Sequence, residues 1–114
     1  PRRFYQILSD SYGLKAPWNV VTAMGISQGL FAVTVIEHAI KANGTKGLTG
    51  EKVREALFAE PITAEETQGF LPTLTFTPEA PFPVKGLQVN VGTVRDGKIV
   101  IEATGADIPN VKKW

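Results

Sequence analysis

Apolar positions change their rhythm once along this chain. Up to about Glu60 they recur every three or four residues, and beyond it they alternate with polar ones. In the first half, Phe4, Ile7 and Leu8 form a stripe that predicts a short helix over Arg3–Tyr12. Gly13 is its stop, and Ala16-Pro17 imposes an extended stretch. A long helix is predicted from Val20 to Ala42, with Asn19 as N-cap. Ile26, Leu30, Val33, Ile36, Ala39 and Ile40 line one face, and Phe31, Ala32 and Val35 widen it, so burial on more than one side is expected. Gly25 and Gly29, four apart, would let a neighbouring backbone come close, and Asn43-Gly44 ends the helix. A third helix starts at Thr49, with Leu48 set to staple to Val53, with Val53, Ala56 and Leu57 inward, and with Pro61 as its end.

The second half reads as strands and turns. Thr73–Thr77 alternates as a short strand, and the proline-rich turn 78–83 follows. Leu87, Val89 and Val91 alternate with Gln88 and Asn90 as a half-buried strand should. Arg95-Asp96-Gly97-Lys98 predicts a type I′ hairpin turn, Ile99–Ala103 its return arm, and a polar tail runs to Trp114. The expected order is three helices, short strands and a β-hairpin, with no internal repeat.

Composition narrows the class. A chain of 114 residues with 43% apolar content is one small packed unit. Twelve basic against eleven acidic residues give a net charge of +1, so nucleic acid is not an expected partner. The short basic ends, Pro1-Arg2-Arg3 and Val111-Lys112-Lys113-Trp114, read as solvated tips. No cysteine is present, which removes disulfides, thiolate metal sites and cysteine nucleophiles without selecting a redox compartment. No uninterrupted apolar run has the length of a membrane span, and no signal peptide pattern is found. The chain opens on Pro-Arg-Arg-Phe-Tyr, which reads as the middle of an element, so a piece of a longer protein is expected.

Catalytic chemistry is hard to assemble. His38, the single histidine, falls near a helix C-terminus, where a cation suits the dipole, and a surface residue is preferred there to a general base. Glu65 and Glu66 are adjacent carboxylates in a loop and read as solvated. No spacing of His, Asp and Glu resembles a metal site, so neither metal nor cofactor is expected. Gly44, Gly47 and Gly50 follow no strand, and Gly25–Gly29 lacks the Lys-Ser or Lys-Thr ending of a phosphate loop. Trp18 reads either as an anchor covering the long helix, which is preferred, or as an aromatic wall of a small-molecule cleft. Thr22 and Met24 on the next turn read first as helix packing.

The ordered set of segments carries a resemblance. Tyr12-Gly13, Ala16-Pro17-Trp18, Ala23-Met24-Gly25-Ile26-Ser27, Ile36-Glu37-His38-Ala39 and Asn43-Gly44 are followed by Leu48–Leu57, Thr73–Pro78 and Val94–Val100. Thr75-Phe76-Thr77-Pro78 and Asp96-Gly97-Lys98 are its most specific parts. Together they resemble the C-terminal third of the type I periplasmic solute-binding proteins, the branched-chain amino acid receptor group of ATP-driven (ABC) importers. The resemblance implies an α/β parent of two lobes with ligand between them. Residues 1–60 would be the helical part of one lobe, and residues 61–114 a crossover with hinge and lobe strands. It departs from that group at Ile26-Ser27, where Tyr-Asp is frequent.

The resemblance implies that residues just before and at the start of the long helix face the cleft, namely Trp18, Val21, Thr22, Ala23 and Met24. It implies a non-enzymatic receptor outside the inner membrane, periplasmic or extracellular. Its solute would be an amino acid, amide or aromatic acid, and its partner a membrane permease. A ligand-sensing regulatory domain of the same fold is the alternative, and a small α+β enzyme the third. With parent strands missing, a homodimer formed by element exchange is expected of the piece alone.

Overall fold

The computed structural model describes residues 1–80, 82–85 and 88–107. It contains helices α1 (Arg2–Tyr12), α2 (Val20–Asn43) and α3 (Gly50–Ala59), with a single 3-10 turn at Thr45–Gly47 between the last two. Strands β1 (Gln88–Arg95) and β2 (Lys98–Asp107) form an antiparallel pair. Helix and hairpin positions follow the sequence rhythm closely.

Local chemistry explains each boundary. Gly13 takes φ 71° behind α1, and the Leu14 N–H closes back on the Leu8 carbonyl at 3.0 Å, a Schellman ending. The Asn19 side chain accepts the Thr22 N–H at 2.9 Å and starts α2. Gly44, at φ 70°, ends α2 and donates its N–H to the Ile40 carbonyl at 2.7 Å. The Thr49 hydroxyl accepts the Lys52 N–H at 3.2 Å, and Glu51 sits in the first turn of α3. Glu60, held extended before Pro61, ends that helix.

The core lies on the C-terminal half of α2. Val35 and Ala39 of α2, Ala56 of α3, and Ile62 and Leu74 from the segment after α3 are buried together with Thr34, His38 and Thr67. Ile62 and Leu74 exchange both backbone hydrogen bonds, at 3.0 and 2.8 Å, and so close a loop over residues 62–74. Inside it, the buried Thr67 hydroxyl lies within 3.2–3.3 Å of the carbonyls of Thr63, Ala64 and Leu71. The tip of the loop, Gln68-Gly69, has positive φ at both residues. Phe31 of α2 meets Phe76 edge-on at 5.6 Å between ring centres.

Several expectations are corrected. Thr73–Thr77 is not a continuous strand: it makes two isolated bridges, Ile62 with Leu74 and Thr75 with Lys85. Pro72 and Pro78 flank it without N–H donors, so the ladder cannot extend. The hairpin turn has the expected positive φ at Asp96 (50°) and Gly97 (71°), as type I′ requires. Its strands are longer than expected and are not half-buried, because among the described residues no layer covers either face. Val94 is 70% and Ile99 77% exposed. Leu87 and the tail Val111–Trp114 lie outside the described residues.

The expected two-sided burial of α2 is also incomplete. Val20 and Val21 are each 72% exposed and Met24 56%. Among the described residues a side chain at Gly25 or Gly29 would meet open space, so no described backbone takes up the close approach those glycines permit. By length and average, α2 reaches the scale of a membrane-crossing helix, with 24 residues and a mean hydropathy of 1.5 over an 18-residue window, although no uninterrupted apolar run does. Those numbers equally describe a core helix whose neighbours are missing.

Candidate functional site

Two clusters carry polar chemistry. The first surrounds Trp18. Its indole stands edge-on to Tyr5 at 5.1 Å and to Phe70 at 6.1 Å, and Phe70 meets Phe4 at 6.2 Å. The Tyr5 hydroxyl donates to the Ala16 carbonyl at 2.7 Å, which fixes the extended linker against α1. The Arg2 guanidinium lies 5.6 Å from the centre of the Trp18 ring, within cation–π range. Trp18 therefore joins α1, the linker and the loop 62–74, whereas the anchor expected from sequence was one covering α2. Of the other candidate cleft residues, Val21 and Met24 are exposed on the first turns of α2, while Thr22 and Ala23 are half-buried. The Thr22 N–H is engaged in the Asn19 cap.

The second cluster was not expected. His38 is buried, not on the surface, and its Nε2 lies 2.6 Å from Glu66 Oε1. Glu65 and Glu66 are both exposed as expected, but the Glu66 carboxylate is engaged by hydrogen bonds within the fold. Glu66 Oε2 accepts both the backbone N–H of Thr63 at 2.8 Å and its hydroxyl at 2.7 Å. The Thr63 hydroxyl oxygen in turn lies 3.2 Å from the Glu66 N–H. This reciprocal arrangement is a capping box around a hydrogen-bonded turn, and Thr-x-x-Glu at 63–66 is the sequence signal that reveals it. The hydrogen bond from His38, followed by those from Thr63, holds the Glu66 carboxyl down at about 2, well under its ordinary 4.5.

The other ring nitrogen faces a second carboxylate. His38 Nδ1 is 3.4 Å from Glu60 Oε1, near enough for charge attraction but without hydrogen-bond geometry, and it has no hydrogen-bond partner. The cluster thus ties α2, the end of α3 and the loop 62–74 together. Both oxygens of Glu66 are occupied within the fold, so the pair acts as a clamp and not as a poised acid and base. Among the described residues no group of three His, Cys, Asp or Glu side chains is set to hold a metal ion.

Between α2 and α3 an apolar groove of about 360 Å³ is lined by Phe31, Val35, Ile36, Val53 and Leu57, with Arg54 at its border. Arg54 lies 5.2 Å from the ring centre of Phe58. In comparisons with known proteins, the chain matches no family model, no curated protein and no solved structure.

Proposed function

We propose that this chain works as part of a two-lobed solute-binding component of an ABC importer. The observation that carries this reading is the uncovered apolar surface. The N-terminal half of α2 presents Val20, Val21 and Met24 to solvent, and its two glycines have no neighbour among the described residues. The two-stranded hairpin exposes Val94 and Ile99, and a hairpin of that kind is marginal in water on its own. Apolar faces of this extent are built to be covered. A receptor whose remaining strands and helices pack on them fits both the faces and the order of segments.

On this reading Trp18 and the first turns of α2, Val21, Thr22, Ala23 and Met24, contribute to one wall of the cleft. The solute is an amino acid, an amide or an aromatic acid, and lobe closure around it signals to the permease outside the inner membrane. The test is solute binding by the full-length gene product, measured by calorimetry against branched-chain amino acids, short amides and benzoate-type acids. One saturable site, weakened at least about tenfold by Met24→Lys at the cleft wall, supports the reading. A product that is folded and binds none of the three classes overturns it. Deletion of the gene separates a transporter, which loses solute uptake, from a sensor of the same fold, which loses a transcriptional or signalling response instead.

A further inference from the structure

Three of the chain's asparagines, Asn19, Asn90 and Asn110, are each followed by valine. Asn43 alone is followed by glycine, and that pair forms the last residue of α2 and its stop. We propose that Asn43-Gly44 is a self-modification site: the backbone closes on the Asn43 side chain when the last turn of α2 opens, and the closed turn sets the rate. This inference does not rest on the transport reading above.

The chemistry needs only water. The Gly44 nitrogen bonds to Cγ of Asn43, the Cγ–Nδ2 bond breaks, and the proton of the attacking nitrogen leaves with the amide as ammonia. A succinimide ring remains. Water adds to either ring carbonyl and reopens it, giving aspartate or isoaspartate. In isoaspartate the main chain runs through the side-chain carbons. Glycine suits the attack because no side chain shields its nitrogen, whereas the branched Cβ of a valine crowds it. Asn43, Gly44 and Thr45 are all exposed, and a Cβ at Gly44 would meet no described atom within 4 Å, so the pair is open to water.

Both reacting groups are occupied while the turn is closed. The Gly44 N–H donates to the Ile40 carbonyl at 2.7 Å, and Asn43 Nδ2 donates to the Ala39 carbonyl at 3.0 Å. Nucleophile and leaving group are thus held on successive carbonyls of one turn. Attack needs both bonds broken and the Asn43 backbone turned out of the helix. That opening is local, because Lys41, Ala42 and Asn43 are exposed and few contacts are lost with them. Helix ends open at far lower cost than a whole chain.

The place of the product gives it consequence. A carboxylate at position 43 faces the free carbonyls at the negative end of α2, which repel it. Isoaspartate also lengthens the main chain by a methylene where α2 passes into the Thr45–Gly47 turn. That turn is close, since a Cβ at Gly47 would lie 3.5 Å from Asn43 Cβ. Modification therefore loosens the joint between α2 and α3, and the loss of ammonia makes the change one-way.

The test incubates the full chain at mildly alkaline pH and follows the Asn43 peptide by mass spectrometry, with isoaspartate counted by enzymatic methyl transfer. Conversion is expected at Asn43 and not at the three Asn-Val pairs, with isoaspartate among the products. It should run at least about tenfold slower than in the urea-unfolded chain. Two variants locate the opening. Ala42→Gly weakens the last turn and should speed conversion about fivefold in the folded chain, with the unfolded rate unchanged. Asn19→Ala weakens α2 by a similar amount at its other end and should leave the folded rate unchanged. Equal rates in the folded and unfolded chains overturn the proposal, as does aspartate without isoaspartate, the mark of direct hydrolysis. Equal acceleration by both variants overturns it too, because conversion then requires the whole chain to unfold. An Asn43 that stays intact in the folded parent and in folded Ala42→Gly, while the unfolded chain converts, overturns it as well.

Discussion

His38 on α2 and Glu66, 28 residues downstream, stand 2.6 Å apart, and this contact binds the loop 62–74 to the long helix. Its removal is expected to be costly because one partner is buried. Glu66→Ala strips the ring of its acceptor and Thr63 of its reciprocal cap, and about 1–3 kcal/mol of unfolding free energy should be lost. Glu65→Ala, one residue away on an exposed side chain, should stay within about 0.5 kcal/mol of the parent. Urea unfolding of the two variants side by side checks the contrast, and equal effects would remove the special status of Glu66.

The same carboxylate gives a prediction in acid. Its folded pKa is depressed to about 2 from an ordinary 4.5, chiefly by the hydrogen bond from His38. A depressed carboxylate contributes stability that is complete above its unfolded value and is lost as pH falls through the folded one. The melting temperature should therefore decline between about pH 4.5 and 2 more steeply in the parent than in Glu66→Gln, whose side chain does not titrate. Parallel curves would show that the contact contributes nothing to acid sensitivity.

Helix starts offer an independent check. Asn19→Ala and Thr49→Ala each remove a side-chain acceptor from a first-turn N–H and should cost about 1 kcal/mol apiece. Asn19→Gly should cost only a few tenths, since glycine tolerates the same backbone. The two caps sit on different helices with no shared partner, so the double variant should add the single effects. Thermal melts of the parent and the four variants decide it.

Uncovered apolar surface predicts association. The chain on its own should form dimers or larger species at high concentration, by strand or helix exchange, as light scattering would show. Val21→Lys with Ile99→Lys, both at exposed positions, should shift the population toward monomer without loss of helix. A monodisperse monomer from the parent chain would contradict the expectation.

How much of this was legible from sequence depended on the distance over which the chemistry acts. Asn19, Thr49, Gly13 and Asp96-Gly97 each settle a boundary within a few residues, and the structure places those boundaries where the residues imply. Thr73–Thr77 has the alternation of a strand, but prolines on both sides keep it to isolated bridges, so its rhythm overstated its pairing. His38 looked like a surface residue because the only local information was its place near a helix end. Its burial comes from Glu60 and Glu66, which lie far along the chain, and only the Thr63-x-x-Glu66 box hinted that Glu66 had a fixed orientation. Among the candidate cleft residues, Trp18 could be read as an anchor from its place beside Pro17, while its contact with Phe70 required the folded loop.

Because Ile62 and Leu74 hold each other through paired backbone bonds, the stretch between them is fastened at its base and free of strand pairing at its tip. A protease cut between Gln68 and Gly69, where both residues have positive φ, would leave each fragment gripping the other through that base. Such a nicked chain would run as two bands under denaturing conditions and as one species before them. Peptide insertions at this point would emerge beside the start of α1, since a side chain at Gly69 would come within 3.2 Å of Pro1.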